Sequence, residues 1–254
     1  MGCPACPNAA RFLATRAAAD GQVGRGRRYP TPVASLAGDR QSPGVARQNG
    51  DLRSLAVFPP SRLVLASASP RRRQLLEDAG VSLEVDPAEV DEALLAGETP
   101  AEHVQRLALA KARAVAARHP TQIVLGADTE VVLKGVVFGK PADLDEAADM
   151  LRRLAGRWHE VLTGVALLRL QPEVRKVWFC RTRVRFRKLT DQTIRDYCAR
   201  VNPLDKAGAY GIQEHGEMLV AEIDGPRSNV VGLPVEEVNA ALGRLQGGPQ
   251  AGGV

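Results

Sequence analysis

The segment Ser67-Ala68-Ser69-Pro70-Arg71-Arg72-Arg73 brings two hydroxyls and three guanidinium groups to the predicted start of a helix. The first N–H groups of a helix have no internal partner, and the helix dipole favours negative charge there. Arg71 and Arg72 add planar donors that can hold phosphate oxygens in pairs. A capped surface helix with solvated arginines would use the same residues, so alone the segment indicates an anion site without settling it. Gly126-Ala127-Asp128-Thr129 follows an apolar strand. A carboxylate at the C-terminal end of a strand can orient water or hold a divalent cation, although an Asx turn uses Asp equally well.

Three further groups could join them. Lys140 lies in a Gly139-Lys140-Pro141 turn, and Asp91-Glu92 is an acidic pair in a loop. Lys111 stands four residues after Leu107, beside the apolar stripe of its helix, where a lysine ordinarily snorkels to solvent. His103, His119, His159 and His215 have no metal-site spacing, which disfavours a zinc hydrolase. The chain also has neither a G-x-S-x-G elbow nor a G-x-x-x-x-G-K-[ST] phosphate loop. Spacing alone therefore reaches cation-assisted phosphate chemistry and no further.

The elements that must position these groups alternate between strand and helix. Arg62–Ser67 reads as a strand, and Ser69 with Pro70 caps a helix that Gly80 stops. Thr99-Pro100-Ala101-Glu102 is a capping box opening a helix to about Arg118. Gln122–Ala127 is a β-branched strand, and Val131–Leu133 with Val136–Phe138 forms a hairpin across Lys134-Gly135. Asp143 caps a helix ending at Gly156; Val161–Leu170 and Val177–Arg187 are long antiparallel strands; Thr190 opens a helix to about Val201. Met218–Ile223 is a strand and Pro234–Leu245 a closing helix. The expected class is α/β, a mixed, bent sheet with flanking helices forming two lobes around a cleft.

Composition narrows the setting. Over 254 residues, 44% hydrophobic and 25% charged is ordinary for a soluble globular chain, and no apolar run is long enough to span a membrane. Four cysteines make no disulfide framework, and the lone Cys3-x-x-Cys6 lacks the four ligands of a zinc site. The net charge of +5 invites a nucleic-acid reading, but all of it resides in residues 1–60, with eight Arg, three Asp and no other charged residue. That segment, with seven Gly and seven Pro, is expected to be a tail outside the folded domain, which begins near residue 61 and runs to 254. Upstream DNA translated from a GC-rich genome is the leading account, since Arg outnumbers Lys 28 to 6; a transit peptide or a binding arm are the others.

Six stretches occur in order: Leu65–Arg72 (LASASPRR), Gly126–Thr129 (GADT), Gly139–Pro141 (GKP), Ala155–Gly164 (AGRWHEVLTG), Asp205–Gln213 (DKAGAYGIQ) and Val230–Pro234 (VVGLP). Together they strongly resemble the Maf family of nucleoside triphosphate pyrophosphatases, over about Leu63 to Leu245. The resemblance implies a two-lobed α/β fold and metal-dependent hydrolysis of a nucleoside triphosphate to the monophosphate and pyrophosphate. It implies Asp128 as proton acceptor for the attacking water, sharing Mg²⁺ or Mn²⁺ with Glu92. It places Lys111 and Lys140 with Ser67, Ser69, Arg71 and Arg72 around the triphosphate. Arg71, Thr129 and Gln213 match specificity positions of the branch acting on dTTP and UTP, whereas another branch reads S-D-Q and prefers a methylated guanine nucleotide. Two stretches depart from the family pattern, Glu214–Glu217 and Gly225–Arg227. The expected setting is cytoplasmic, with a nucleoside triphosphate as partner, a homodimer possible, and neither membrane nor nucleic acid. The alternatives are a pyrophosphatase for modified nucleotides and a nucleotide-binding regulator of cell division.

Overall fold

A computed structural model describes residues 62–246. The tail expected over residues 1–60, with its Cys3–Cys6 pair, lies outside the described residues. The chain order is β1 (Leu63–Leu65), α1 (Pro70–Asp78), β2 (Leu83–Val85), α2 (Pro100–Ala116), β3 (Val124–Leu133), β4 (Val136–Phe138), α3 (Leu144–Leu154), β5 (Trp158–Arg169), β6 (Val174–Phe186), α4 (Asp191–Arg200), β7 (Val220–Asp224), α5 (Arg227–Val231) and α6 (Val235–Gln246). Seven strands form one sheet in the order β2-β1-β3-β5-β6-β7, with β4 paired to the far end of β3. β1 runs parallel to β2 and β3, and the remaining pairs are antiparallel. The sheet is mixed, as expected.

Caps account for the helix starts. Ser69, Thr99, Asp143 and Thr190 each accept a hydrogen bond from the backbone N–H three residues on, and Thr99 completes its box with Glu102.

The long strands serve two cores. Toward one end, Val131 and Leu133 of β3 and Val161 of β5 pack with α3, α4, Phe186 and Tyr210. Toward the other, Leu125 and Ala127 of β3 and Val165 and Leu167 of β5 pack with α1 and α6. Between them, in register on neighbouring strands, stand Thr129 and Thr163. The apolar pattern is interrupted there by hydroxyls, and this polar seam divides the two lobes.

Two findings depart from the expectations. β3 does not end before Asp128. It continues as one ten-residue strand through the GADT segment, because β5 pairs with it from Val124 to Val132. On its other side, β1 pairs only to Leu125 and β4 only from Val131. Among the described residues, Gly126–Glu130 therefore has no strand partner on that side, and the gap opens where β1 gives way to α1. The second departure is a set of short elements the periodicity does not reveal: β2, α5 and the 3₁₀ turns Ala207–Ala209 and Gly216–Met218. Three to five residues carry too little pattern to be read.

Two glycines set the height of α2 above the sheet. A Cβ on Gly126 would lie 2.1 Å from the carbonyl oxygen of Ala108, and one on Gly164 would lie 2.1 Å from that of Val104. Both obstacles are helix backbone, which cannot swing aside. Gly164→Ala is expected to lift α2 and lower stability by at least about 2 kcal/mol, the upper range for overpacking, measured by urea unfolding. A loss under about 0.5 kcal/mol would show that α2 is not held at this height.

Candidate functional site

The cleft is a cavity of about 610 Å³, a size common for small-molecule sites. Ser67, Ser69, Arg71, Arg72, Glu92, Lys111, Asp128, Thr129, Lys140 and Gln213 all line it. The ten residues that the resemblance placed at the site are thus brought to one place, whereas Asp91 caps its own loop by accepting from the Ala93 N–H. Arg73, the neighbour of Arg72 in the basic run, bonds Glu77 on the exposed face of α1 instead.

The β1–α1 junction builds the anion end. Ser67 Oγ accepts from the Ser69 N–H at 3.3 Å and from Arg72 Nη1 at 3.0 Å. Arg72 Nη2 donates to Thr129 Oγ1 at 3.0 Å, and Arg72 Nε to the Gly232 carbonyl at 2.9 Å. All of these acceptors are neutral, and among the described residues no carboxylate lies within ion-pair distance of Arg72. Burial pulls its guanidinium below the usual arginine range, only partly offset by the charge of Asp128. Arg72 is half-buried, and a partly desolvated cation without a counterion gains from an arriving anion.

Thr129 is fixed from several sides, lying 3.0 Å from Thr163 Oγ1 and donating to the Gly232 carbonyl at 3.3 Å. Asn229, fully buried, anchors α5 by donating to the Val161 carbonyl and Thr182 Oγ1. Sequence reasoning missed Asn229 and Gly232 as parts of this cradle. Gly232 lies in the Val230–Pro234 motif, but Asn229 ends the polar run Arg227-Ser228-Asn229 and carries no local signal.

The second group comes from α2 and β3. Lys111 is buried, contrary to its expected snorkelling position, because the glycines hold α2 against the sheet. Its Nζ donates to Asp128 Oδ1 and to Glu92 Oε1, each at 2.7 Å. Partial burial pushes Glu92 up, but the hydrogen bond and charge of Lys111, aided by Lys140 and Arg72, hold its carboxyl below the usual range. The Asp91-Glu92 loop is therefore more than a solvated acidic turn. Glu92 and Asp128 share one ammonium and converge on the cavity.

The cavity wall also holds Glu130, two residues beyond Asp128 and on the same face of β3. Its Oε1 lies 3.2 Å from His103 Nε2, and its buried Oε2 has no partner. Burial first, then the charges of Asp128, Glu98 and Glu92, push its carboxyl up to about 8. On the far side of His103, Arg106 and then His103 hold Glu98 down to about 2.

A hard divalent cation fits these donors. Among the described residues no group of three or more His, Cys, Asp or Glu makes an all-protein cage. Mg²⁺ uses one or two carboxylates, waters and substrate phosphates, a mode that Glu92 and Asp128 can supply. The wall offers no thiolate, so soft metals have no claim on it.

Comparison with known proteins bears on this geometry. The sequence pattern of the family described as Maf-like protein matches residues 62–245. The chain belongs to the Maf family. A dTTP/UTP pyrophosphatase of Symbiobacterium thermophilum is 53% identical over 174 residues, covering 68% of this chain and 89% of that protein. One of Moorella thermoacetica is 52% identical over 182 residues, with 72% and 94% covered, and one of Clostridioides difficile is 45% identical over 180, with 71% and 93% covered. The six Maf stretches are those that meet at or support the cavity. Among the described residues no helix is long and apolar enough to cross a membrane.

Glu130 yields a pH prediction. Its folded carboxyl holds a proton up to about 8, against 4.5 when unperturbed, so folding takes up a proton between these values. Its stabilising influence is complete below the lower value and is lost as pH rises through the upper one. In chelator-treated protein, Glu130→Gln is expected to gain about 1–3 kcal/mol over the wild type at pH 8 and nothing near pH 4.5. Parallel pH dependences of the urea midpoints would contradict this.

Proposed function

We propose that this Maf protein hydrolyses dTTP and UTP to the nucleoside monophosphate and pyrophosphate. The observation that carries the reading is one cleft lined both by a half-buried Arg72, which among the described residues has no carboxylate within ion-pair distance, and by the Lys111–Asp128 pair. The names of the relatives at 45–53% identity support the same reaction and nucleotides.

The residues divide the work. Arg72, Ser67, Ser69, the α1 N-terminus, Arg71 and Lys140 bind the triphosphate and neutralise charge that builds on the departing pyrophosphate. Lys111 fixes Asp128 through Oδ1, leaving the other carboxylate oxygen to take the proton of the attacking water. The water oxygen bonds to the α-phosphorus as the anhydride bond from that phosphorus to the bridging oxygen breaks, and the electron pair leaves on pyrophosphate. Glu92 and Asp128 would hold Mg²⁺ or Mn²⁺, which supplies further charge neutralisation at the phosphate oxygens when bound. Gln213 stands exposed at the cavity edge, where its amide can satisfy both the N3–H and a carbonyl of uracil or thymine. Nucleoside triphosphates are held in the cytoplasm, which is the setting we infer.

Pyrophosphate release from dTTP, UTP, CTP, GTP and 7-methyl-GTP, with Mg²⁺ or Mn²⁺, tests the reading. Turnover is expected on dTTP and UTP, with a loss of at least about a hundredfold in Asp128→Asn, the scale of a missing general base. Preference for the methylated guanine nucleotide would overturn the role of Thr129 and Gln213. No release from any triphosphate would favour a nucleotide-binding protein.

A further inference from the structure

Lys206 is a buried lysine that the reaction above does not use. It is 4% exposed, although it belongs to a loop at the cavity mouth. Its ammonium donates to the Asn202 carbonyl at 2.8 Å and to Asp205 Oδ1 at 2.7 Å, and forms an ion pair with Glu214 Oε2 at 3.0 Å. The ammonium is committed to two acceptors and an ion-pair partner within eight residues of it in sequence, which points to a role in what it holds.

It holds two carboxylates whose other oxygens turn to Arg71. Arg71 Nη1 lies 2.8 Å from Asp205 Oδ2 and 3.9 Å from Glu214 Oε1, and Arg71 Nη2 donates to the Asp205 carbonyl at 3.3 Å. Arg71 is on α1, so this contact crosses the cleft mouth from one lobe to the other. Glu214 directly follows Gln213. The Lys206 stem also fills the space beside Gly211, where a Cβ would lie 2.8 Å from Lys206 Cε. The Gly211 N–H donates to the buried Tyr197 hydroxyl, and the Gly208 N–H donates to the Gly139 carbonyl beside Lys140. One ammonium thus sits at the centre of the loop that presents Gln213 and steadies both Arg71 and the Lys140 turn.

Asp205 and Glu214 are offset by Lys206 and Arg71, so the four side chains form a charge-balanced cluster beside Gln213.

We propose that Lys206 is a positioning residue for nucleobase selection. It fixes Asp205 and Glu214, and through them the orientation of Gln213 and the placement of Arg71. The inference rests on the pyrimidine-nucleotide pyrophosphatase reading.

The test compares kcat and KM for UTP and GTP in the wild type, Lys206→Met and Glu214→Ala, with thermal unfolding alongside. Glu214 is partly exposed, so its variant is expected to fold even if Lys206→Met does not. Lys206→Met should raise KM for UTP by about tenfold and cut the UTP-over-GTP preference in kcat/KM by a similar factor, while kcat falls less than about threefold. Glu214→Ala should move the same quantities in the same direction by less. Unchanged KM and preference in Glu214→Ala, or an equal fall in kcat on both nucleotides, would overturn the inference. A wild type that turns over no pyrimidine triphosphate contradicts the function itself and takes this inference with it.

Discussion

A guanidinium half-withdrawn from water, with no carboxylate within ion-pair distance among the described residues, governs this molecule. Arg72 is held by Ser67, Thr129 and the Gly232 carbonyl, all neutral, so its geometry is fixed while its charge is not cancelled. Hydrogen bonds hold the side chain in place, but only an anion can offset the desolvation of its charge. Nearly every unusual feature of the fold serves that arrangement. β1 ends early so that α1 can start beside it, and α5 supplies a carbonyl from the other end of the chain.

The same gap explains how two chemistries share one cleft. Residues on opposite faces of a strand normally cannot serve one cavity. Here Gly126–Glu130 has strand pairing on one side only, so the open edge brings Asp128 and Thr129 to the same space from opposite faces. Thr129 belongs to the polar seam and the Arg72 cradle. Asp128 faces α2, where the glycine contacts let Lys111 reach it. Phosphate binding and water activation are thereby adjacent, without either carboxylate and guanidinium pair cancelling the other.

Much of this was legible in the residues. Caps with hydroxyl or carboxyl side chains and prolines at first helical positions marked the starts of α1 and α2, because orphan N–H groups demand such residues. Long alternating runs marked β5 and β6. The motif resemblance named ten site residues that the fold brings to one cavity. Less legible were features that depend on contacts distant in sequence. Asp128 looked like the residue after a strand because Asp128-Thr129-Glu130 breaks the apolar run, yet pairing with β5 carries the strand through it. Lys111 looked like a surface lysine because periodicity reports only which face a residue is on, not how closely the face is approached. Asn229 gave no local signal, since its partners Val161 and Thr182 lie 68 and 47 residues away, and the motifs holding Gly232 and Lys206 did not reveal what those two residues bond.

The central claim is that the cleft is an anion receiver centred on Arg72. The direct measurement is the thermal unfolding midpoint of the wild type and Arg72→Met as inorganic tripolyphosphate is titrated in, with and without Mg²⁺. A ligand bound only by the folded state raises the midpoint with its concentration. The account predicts a concentration-dependent rise in the wild type that is lost in Arg72→Met. A wild type indifferent to tripolyphosphate, or a variant that responds equally, would contradict it.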